Sequence, residues 1–344
     1  MTFEPTERRS IGRTGLDVTR LGLGTTSVGG VFDVIDERDG LATIERAWDL
    51  GVRYFDTAPL YGYGTAERRL GRVLAGHRRD EFIVSTKAGR LVRRLDEIEP
   101  GAIVDVAAFG DRRVSDGRKE IGHRVVFDFS RDGILRSVEE SLDRLGLDRI
   151  DILFLHDPDD HWEEAIGEAY PTIHRLREEG VVSAIGAGMN QSEMLTRFAR
   201  EGDFDVFLVA GRYTLLDQDA LSELLPTCVE RTVAVVIGGV MNSGILAAPT
   251  QVGLFNYKPA PPQIVERARR LAEVCDRHGV PLKAAAIQFP LAHPVVASLV
   301  AGVGRIDHLD EYPVLMQEVI PADLWTELRS EGLLAPGAPV PGGN

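Results

Sequence analysis

Ile134-Leu135-Arg136-Ser137-Val138-Glu139-Glu140-Ser141-Leu142-Asp143-Arg144-Leu145-Gly146, followed five residues later by Asp151-Ile152-Leu153-Phe154-Leu155-His156, is one helix and one buried strand written end to end. In the first part Ile134, Val138, Leu142 and Leu145 fall three to four apart and share a helical face, and Gly146 ends the run. The second part is a short unbroken apolar run, the pattern of a strand covered on both faces. Working outward, the same alternation recurs. Strand-like runs lie at Arg20 to Gly24, Arg53 to Asp56, Phe82 to Lys87, Val182 to Ala187, Val206 to Ala210, Val233 to Ile237 and Ser298 to Gly302. Helical stripes such as Ile166, Ala169, Tyr170, Ile173 and Leu176, or Ile264, Ala268, Leu271 and Cys275, fall between them, and Gly51, Gly180 and Gly279 stop helices. Strand followed by helix with short links implies right-handed parallel crossovers, and eight repeats close into a (β/α)8 TIM barrel of α/β class, with a doubly wound open sheet as the alternative.

A hairpin is expected over Arg8 to Val18, turning at Arg13-Thr14-Gly15. Two stretches break the spacing, Ala88 to Phe129 after the third strand and Ala247 to Pro262 after the seventh, and each reads as a functional cover or a solvated excursion. No composition break marks a linker, so residues 1–344 read as a single domain with its core at about 8–333. The Pro- and Gly-containing Ala335 to Asn344 is expected to be a mobile tail.

The chain of 344 residues carries 39 Lys and Arg against 53 Asp and Glu, a net charge of −14 that disfavours a nucleic-acid partner. Cys228 and Cys275 lie far apart with no Cys-x-x-Cys spacing, which indicates neither a disulfide framework nor a thiolate metal site. Met1 to Arg13 does not resemble a signal peptide, and no run is long and apolar enough to span a membrane. A cytoplasmic protein with a small-molecule substrate and no membrane partner is the expectation.

In a barrel, catalysis is sited where the carboxyl ends of the strands converge. The second strand ends at Asp56, the third at Lys87 and the fourth at His156, and Tyr61 follows Asp56 by five residues. Each has a bland reading: Asp56 as a helix cap, Lys87 as a solvated strand end, His156 bonding the turn at Asp157-Pro158, Tyr61 as packing. Together they form what proton transfer at a carbonyl oxygen requires. A phenol titrates near 10, a neighbouring ammonium stabilises its phenolate, and a carboxylate keeps that ammonium in place. The chain contains no Gly-x-Gly-x-x-Gly fingerprint, so any dinucleotide has to be held by the late loops, Asn242 to Leu246 and Gly302 to His308.

Asp56-Thr57-Ala58-Pro59-Leu60-Tyr61, Thr86-Lys87 and Leu155-His156 resemble, in identity, order and strand position, the Asp, Tyr, Lys, His tetrad of the aldo-keto reductases. The resemblance runs from about Arg8 to the helix after Asp307. It implies a barrel that uses NAD or NADP, with Tyr61 as general acid/base, Lys87 and Asp56 as its tuning pair and His156 orienting the carbonyl. It implies Thr25 and Thr26 near the nicotinamide ribose and Gly244, Ile245 and Leu246 clasping the pyrophosphate. Gly302, Arg305, Asp307 and His308 fall at the adenosine end, with Arg305 near the ribose 2′ group. Asn190 takes the place of the family's Ser-Asn on the nicotinamide amide, and a Gln usual after the sixth strand is replaced near Ala210-Gly211-Arg212-Tyr213.

Phe129-Ser130-Arg131-Asp132-Gly133 and His156-Asp157-Pro158-Asp159-Asp160-His161-Trp162 look like the bacterial aldose dehydrogenase branch, and pyridoxal dehydrogenases are similar in the same segments. The implied reaction is oxidation of a cyclic hemiacetal of L-fucose or D-arabinose type at C1 to the lactone. NAD is favoured, because Asp307 would repel a 2′-phosphate that Arg305 would attract. Alternatives are an NADPH-dependent carbonyl reductase, a metal hydrolase built on the His156 to His161 cluster, and a nucleotide-sensing regulatory subunit. No metal is expected.

Overall fold

A computed structural model describes residues 2–105, 122–249 and 253–343. Eight parallel strands close a barrel: β1 Leu21–Gly24, β2 Tyr54–Asp56, β3 Ile83–Ala88, β4 Ile152–His156, β5 Ala184–Met189, β6 Val206–Ala210, β7 Ala234–Gly238 and β8 Val296–Ala301. Each pairs with its neighbours in chain order, and β8 returns to β1. The eight expected strands are all present, displaced by at most two residues at their ends. The stretch that opens the reading forms helix Arg131–Leu145, started by the Ser130 hydroxyl accepting from the Gly133 amide at 3.1 Å and stopped by Gly146 at φ 62°. A residue with a side chain is strained in that left-handed turn, whereas glycine is not.

Successive strand residues alternate between the two faces of the barrel wall. One set, including Phe55, Val84, Leu153, Leu155 and Phe207, packs under the helices in the main apolar core. The other, including Tyr54, Ile152, Phe154, Ala184, Val206, Leu208, Val236 and Val300, fills the inside, where Ile11 and Val18 of the N-terminal hairpin join it. That hairpin pairs Arg8–Ser10 with Asp17–Thr19, as expected. The inward parity decides where the chemistry goes: Asp56 follows Tyr54, Lys87 follows Ser85 and His156 follows Phe154, each one inward step further along its strand.

Two expectations are corrected. The stretch after β3 is no bare excursion: Arg90–Arg94, His123–Phe127 and Ile103–Val104 make a three-stranded antiparallel sheet with His123–Phe127 in the centre. The alternation of Val125 and Phe127 carried the strand signal, masked by the surrounding charges; residues 106–121 of this stretch lie outside the described residues. The segment read as a mobile tail is packed, because Ala338 and Val340 are buried in the main core and Arg329 donates to the Ala338 carbonyl at 2.8 Å. Apolar residues between the prolines find that core, which composition alone does not reveal. In the connection after β7, Leu254–Phe255 and Lys258–Pro259 form a small hairpin, and residues 250–252 lie outside the described residues.

Helix Thr65–Leu74 approaches the end of helix Arg131–Leu145 so closely that a Cβ on Gly71 would stand 1.8 Å from the Leu145 carbonyl oxygen. Gly71→Ala is therefore expected to destabilise the protein by about 1–3 kcal/mol or more in urea unfolding, since two backbones have to separate. Gly76→Ala, facing nothing nearer than 3.5 Å, is the control and should stay within about 0.5 kcal/mol.

Candidate active site

The deepest element of the site is an ion pair. Lys87 Nζ lies 2.7 Å from Asp56 Oδ2 and donates to the Thr57 carbonyl at 2.8 Å, and both charged groups are almost fully buried. The other Asp56 oxygen accepts from Ser85 Oγ at 2.7 Å, and Ser85 in turn stands 3.0 Å from the Tyr54 hydroxyl. With its proton given to Asp56, Ser85 accepts from Tyr54, so a chain of hydrogen bonds fixes the carboxylate from behind. Burial works to discharge the Lys87 ammonium, but the attraction of Asp56 and the interaction with Tyr61 outweigh it and hold the group up at about 12. Nζ sits 4.7 Å from the centre of the Tyr61 ring.

Tyr61 enters on the turn after β2, its amide donating to the Ala58 carbonyl at 3.1 Å. Its ring meets the His156 ring edge-on, with centroids 6.0 Å apart. His156 is pushed well below the usual imidazole range, first by burial and then by the positive charges of Arg90 and Lys87, so the ring is neutral. Nδ1 of that ring is buried without a partner. Asp56, Tyr61, Lys87 and His156 are thus brought together, and the last three line one open cleft with about 480 Å³ of empty volume.

Thr26 and Asn190 line the same cleft. Thr25 is buried beside it, its amide and hydroxyl both donating to the Asp56 carbonyl, at 2.9 and 3.0 Å. Gly244, Ile245 and Leu246 lie beyond the lining, in a tight turn after β7 whose amides donate to the carbonyls of Met241, Asn242 and Met241 in that order. Arg305 and Asp307, at the start of helix Ile306–Gln317, form an exposed two-pronged pair at 3.0 and 2.7 Å, and His308 is in the first turn of that helix. The Gly302 carbonyl accepts from Ser27 Oγ.

A dinucleotide fits this arrangement. The side chain of Arg305 at the start of helix Ile306–Gln317 does not cap its amides, and the N-terminus of a helix attracts an anion. Asn242, Ser243 and Gly244 stand in three successive left-handed conformations, at φ 46°, 59° and 96°, and the Asn242 side-chain oxygen is buried without a partner. That orphaned Asn242 oxygen is a polar group that a ligand would satisfy.

The sequence reading missed several lining residues. Arg90 arrives on the unforeseen sheet, bonded to Asp157 at 2.6 Å and to Asp105. Burial raises the Asp157 carboxyl to about 6, with Arg90 pulling the other way. Phe32 and Tyr257 reach the cleft from the loops after β1 and β7 and stack with centroids 5.5 Å apart. An aromatic in a loop that follows a strand's carboxyl end was the available signal. The acidic cluster after β4 does not gather as metal ligands: Asp157 faces Arg90, Asp159 accepts from Gln191 at 2.7 Å, and His161 packs on Phe127. Arg212 donates to the Asn190 carbonyl at 2.8 Å and so ties together the two segments that depart from the family pattern.

A barrel with an acid, a lysine, a tyrosine and a histidine at adjoining strand ends defines the class, and the chain belongs to the aldo/keto reductase family, whose profile matches residues 20–330. It is accordingly an NAD(P)-dependent oxidoreductase. The chain is 45% identical to a D-threo-aldose 1-dehydrogenase from a Pseudomonas species over 93% of its own length and 96% of the relative's. It is 40% identical to a pyridoxal 4-dehydrogenase from Microbacterium luteolum over 97% and 100% of the two chains. Among solved structures, the holo form of an aldo-keto reductase from Bacillus halodurans superposes with a TM-score of 0.74, at 27% identity and 98% coverage of both chains. Among the described residues no helix is long and apolar enough to cross a membrane.

A buried imidazole held neutral has a pH signature. Below about 6.5 the unfolded chain takes up a proton that folded His156 refuses, so this stabilisation is present above about 6.5 and is lost as pH falls. His156→Gln is expected to flatten the fall of unfolding free energy between about pH 6.5 and 5 by up to ~1.4 kcal/mol per pH unit. Denaturant titrations of both proteins across that range measure it, and parallel curves would contradict it.

Proposed function

We propose that the protein oxidises the C1 hydroxyl of a cyclic aldose of L-fucose or D-arabinose type to the lactone, with Tyr61 as general base. The observation that carries this is the buried Lys87 ammonium, bound to Asp56 at 2.7 Å and 4.7 Å from the Tyr61 ring centre. Its charge stabilises the phenolate that takes the proton from the anomeric hydroxyl. Asp56 keeps the ammonium charged and in place. Neutral His156 hydrogen-bonds the reacting oxygen and fixes its direction, which orients C1 for reaction. A nicotinamide dinucleotide, when bound, supplies the acceptor for the hydride that leaves C1. As the O–H proton passes to Tyr61, the C1–O bond becomes the lactone carbonyl. In the reverse direction Tyr61 returns the proton to a carbonyl oxygen.

The cofactor contacts follow the fit described above: Thr25 and Thr26 toward the nicotinamide ribose, Asn190 toward the amide, Gly244, Ile245 and Leu246 at the pyrophosphate, and Gly302, Arg305, Asp307 and His308 at the adenosine end. NAD is favoured over NADP, because the Asp307 carboxylate, paired with Arg305 through Nε and NH2, would repel a 2′-phosphate brought to the same guanidinium. The aldose reading is supported by the 45% identical relative, and pyridoxal oxidation is a second reading supported by the 40% identical one. Both substrates present a hemiacetal carbon. The protein is proposed to act as one barrel unit in the cytoplasm on a small molecule.

The test is nicotinamide reduction on mixing the protein with NAD or NADP and L-fucose, D-arabinose or pyridoxal. The expected result is turnover of the aldoses, faster with NAD, that falls about 10²–10⁴-fold in Tyr61→Phe while NAD still binds. Unchanged turnover in that variant would overturn the mechanism, and pyridoxal as the better substrate would overturn the aldose assignment.

A further inference from the structure

Beside the four residues of the proposed chemistry lies a second polar pair that takes no part in the proton transfer. Arg90 is 8% exposed, yet it lines the cleft with Tyr61 and His156. Its guanidinium is held on three sides: NH1 bonds Asp157 Oδ2 at 2.6 Å, NH2 bonds Asp105, and the ring of Phe127 lies 5.4 Å away. Nε is buried without a partner. Asp157 also lines the cleft, immediately after His156. Its Oδ2 stands 3.7 Å from His156 Nε2 as well as on Arg90, and among the described residues its Oδ1 accepts from the Asn190 amide, at 3.4 Å.

The backbone is shaped to present this carboxylate. Asp157 has φ 43°, a left-handed conformation that costs energy in any residue with a side chain and that aspartate and asparagine tolerate best. Its amide is anchored to the Gly188 carbonyl at 3.1 Å. Such strain persists where the surroundings enforce it, and it collects at functional sites. Here the enforcing structure is the antiparallel sheet after β3, which delivers Arg90 on one strand and Phe127 directly opposite on the next.

We propose that Arg90 and Asp157 form a hydroxyl clamp that selects substrates carrying a hydroxyl on the carbon next to the reacting one. The inference rests on the reading that Tyr61 and His156 mark the reacting carbon. A hydroxyl is both donor and acceptor. Placed one carbon away from the oxygen at His156, it donates to Asp157 Oδ1 and accepts from the Arg90 guanidinium. An unsubstituted carbon there leaves a carboxylate and a guanidinium facing an apolar group, and leaving such groups unpaired is how polar sites reject analogues. Pyridoxal has no hydroxyl on the carbon next to its reacting carbon, its phenol oxygen lying one carbon further away, which sets an aldose apart from it. Neither residue takes part in the proton transfer, so the clamp acts on specificity.

The experiment compares lactaldehyde with propanal, which differ by this one hydroxyl, as substrates for NADH-dependent reduction by the wild type, Asp157→Asn, Arg90→Gln and Arg90→Lys. Asparagine keeps the backbone conformation and the shape at 157, and Arg90→Lys keeps the charge while losing the fork. The wild type should prefer lactaldehyde by about 10–100-fold in kcat/KM, expressed through KM. The variants should lose that preference to within about threefold, because kcat/KM falls further for lactaldehyde than for propanal. Variants that slow both aldehydes equally would show a structural role only and overturn the clamp, as would an undiminished preference. In either case propanal turnover by the wild type leaves the Tyr61 reading standing, whereas a wild type that reduces neither aldehyde overturns both.

Discussion

Everything in the site depends on keeping one positive charge inside the barrel. An ammonium removed from water is expensive unless a counter-charge and hydrogen bonds replace the solvent, and removing one partner of such a pair typically costs about 3–5 kcal/mol. Lys87 has both replacements: the Asp56 carboxylate and the Thr57 carbonyl. Asp56 is held by Ser85, and Ser85 by Tyr54, so the charge is fixed by residues of two adjacent strands and by Thr57 just beyond the first. The pair therefore comes with the register of β2 against β3, in which Asp56 stands opposite Ser85. A fixed ammonium beside a phenol needs little rearrangement when charge develops on the oxygen, and that is the physical content of preorganisation.

The barrel turns this local pair into a site. Its interior is filled by Tyr54, Phe154, Leu208 and Val236, so the cleft has an apolar floor from which water is excluded. The next inward positions are Asp56, Lys87 and His156, which stand on top of that floor. The sheet after β3 adds a wall carrying Arg90, and the loops after β1 and β7 add Phe32 and Tyr257. Asp56, Lys87 and His156 thus come from the strands of the barrel, Tyr61 from the turn after β2, and Arg90 from the sheet attached after β3. Rigid chemistry with variable walls is the general division of labour in this architecture.

Much of this was legible in the sequence because it rests on short-range periodicity. The 3.6-residue stripe ending at Gly146 and the apolar runs ending in Asp56, Lys87 and His156 identified both the repeat and the strand ends where ionisable groups converge. What escaped rests on long-range pairing. The alternation in His123–Phe127 is too short to fix a strand until Arg90–Arg94 is placed beside it, and the burial of Arg90 shows when Asp105 and Asp157 are found at its two ends. Ala338 and Val340 read as tail because nothing local tells an apolar residue between prolines that a core lies beneath it. In the sequence Asp157 reads as a turn residue and as a member of an acidic cluster. Its left-handed backbone, which sets its carboxylate toward Arg90 instead of toward its neighbours in sequence, is a property of the fold.

The central claim is that the Lys87 charge makes the Tyr61 phenol competent near neutrality. The most direct measurement is the pH dependence of NAD-linked aldose oxidation in the wild type and in the double variant Asp56→Asn/Lys87→Met, which removes both charges and leaves neither buried alone. The double variant is expected to be furthest below wild type near pH 7, with the gap narrowing as pH approaches the ordinary phenol range of about 10, where a phenol ionises without a neighbouring ammonium. A gap of constant size across that range, in a variant shown to be folded and to bind NAD, would contradict it.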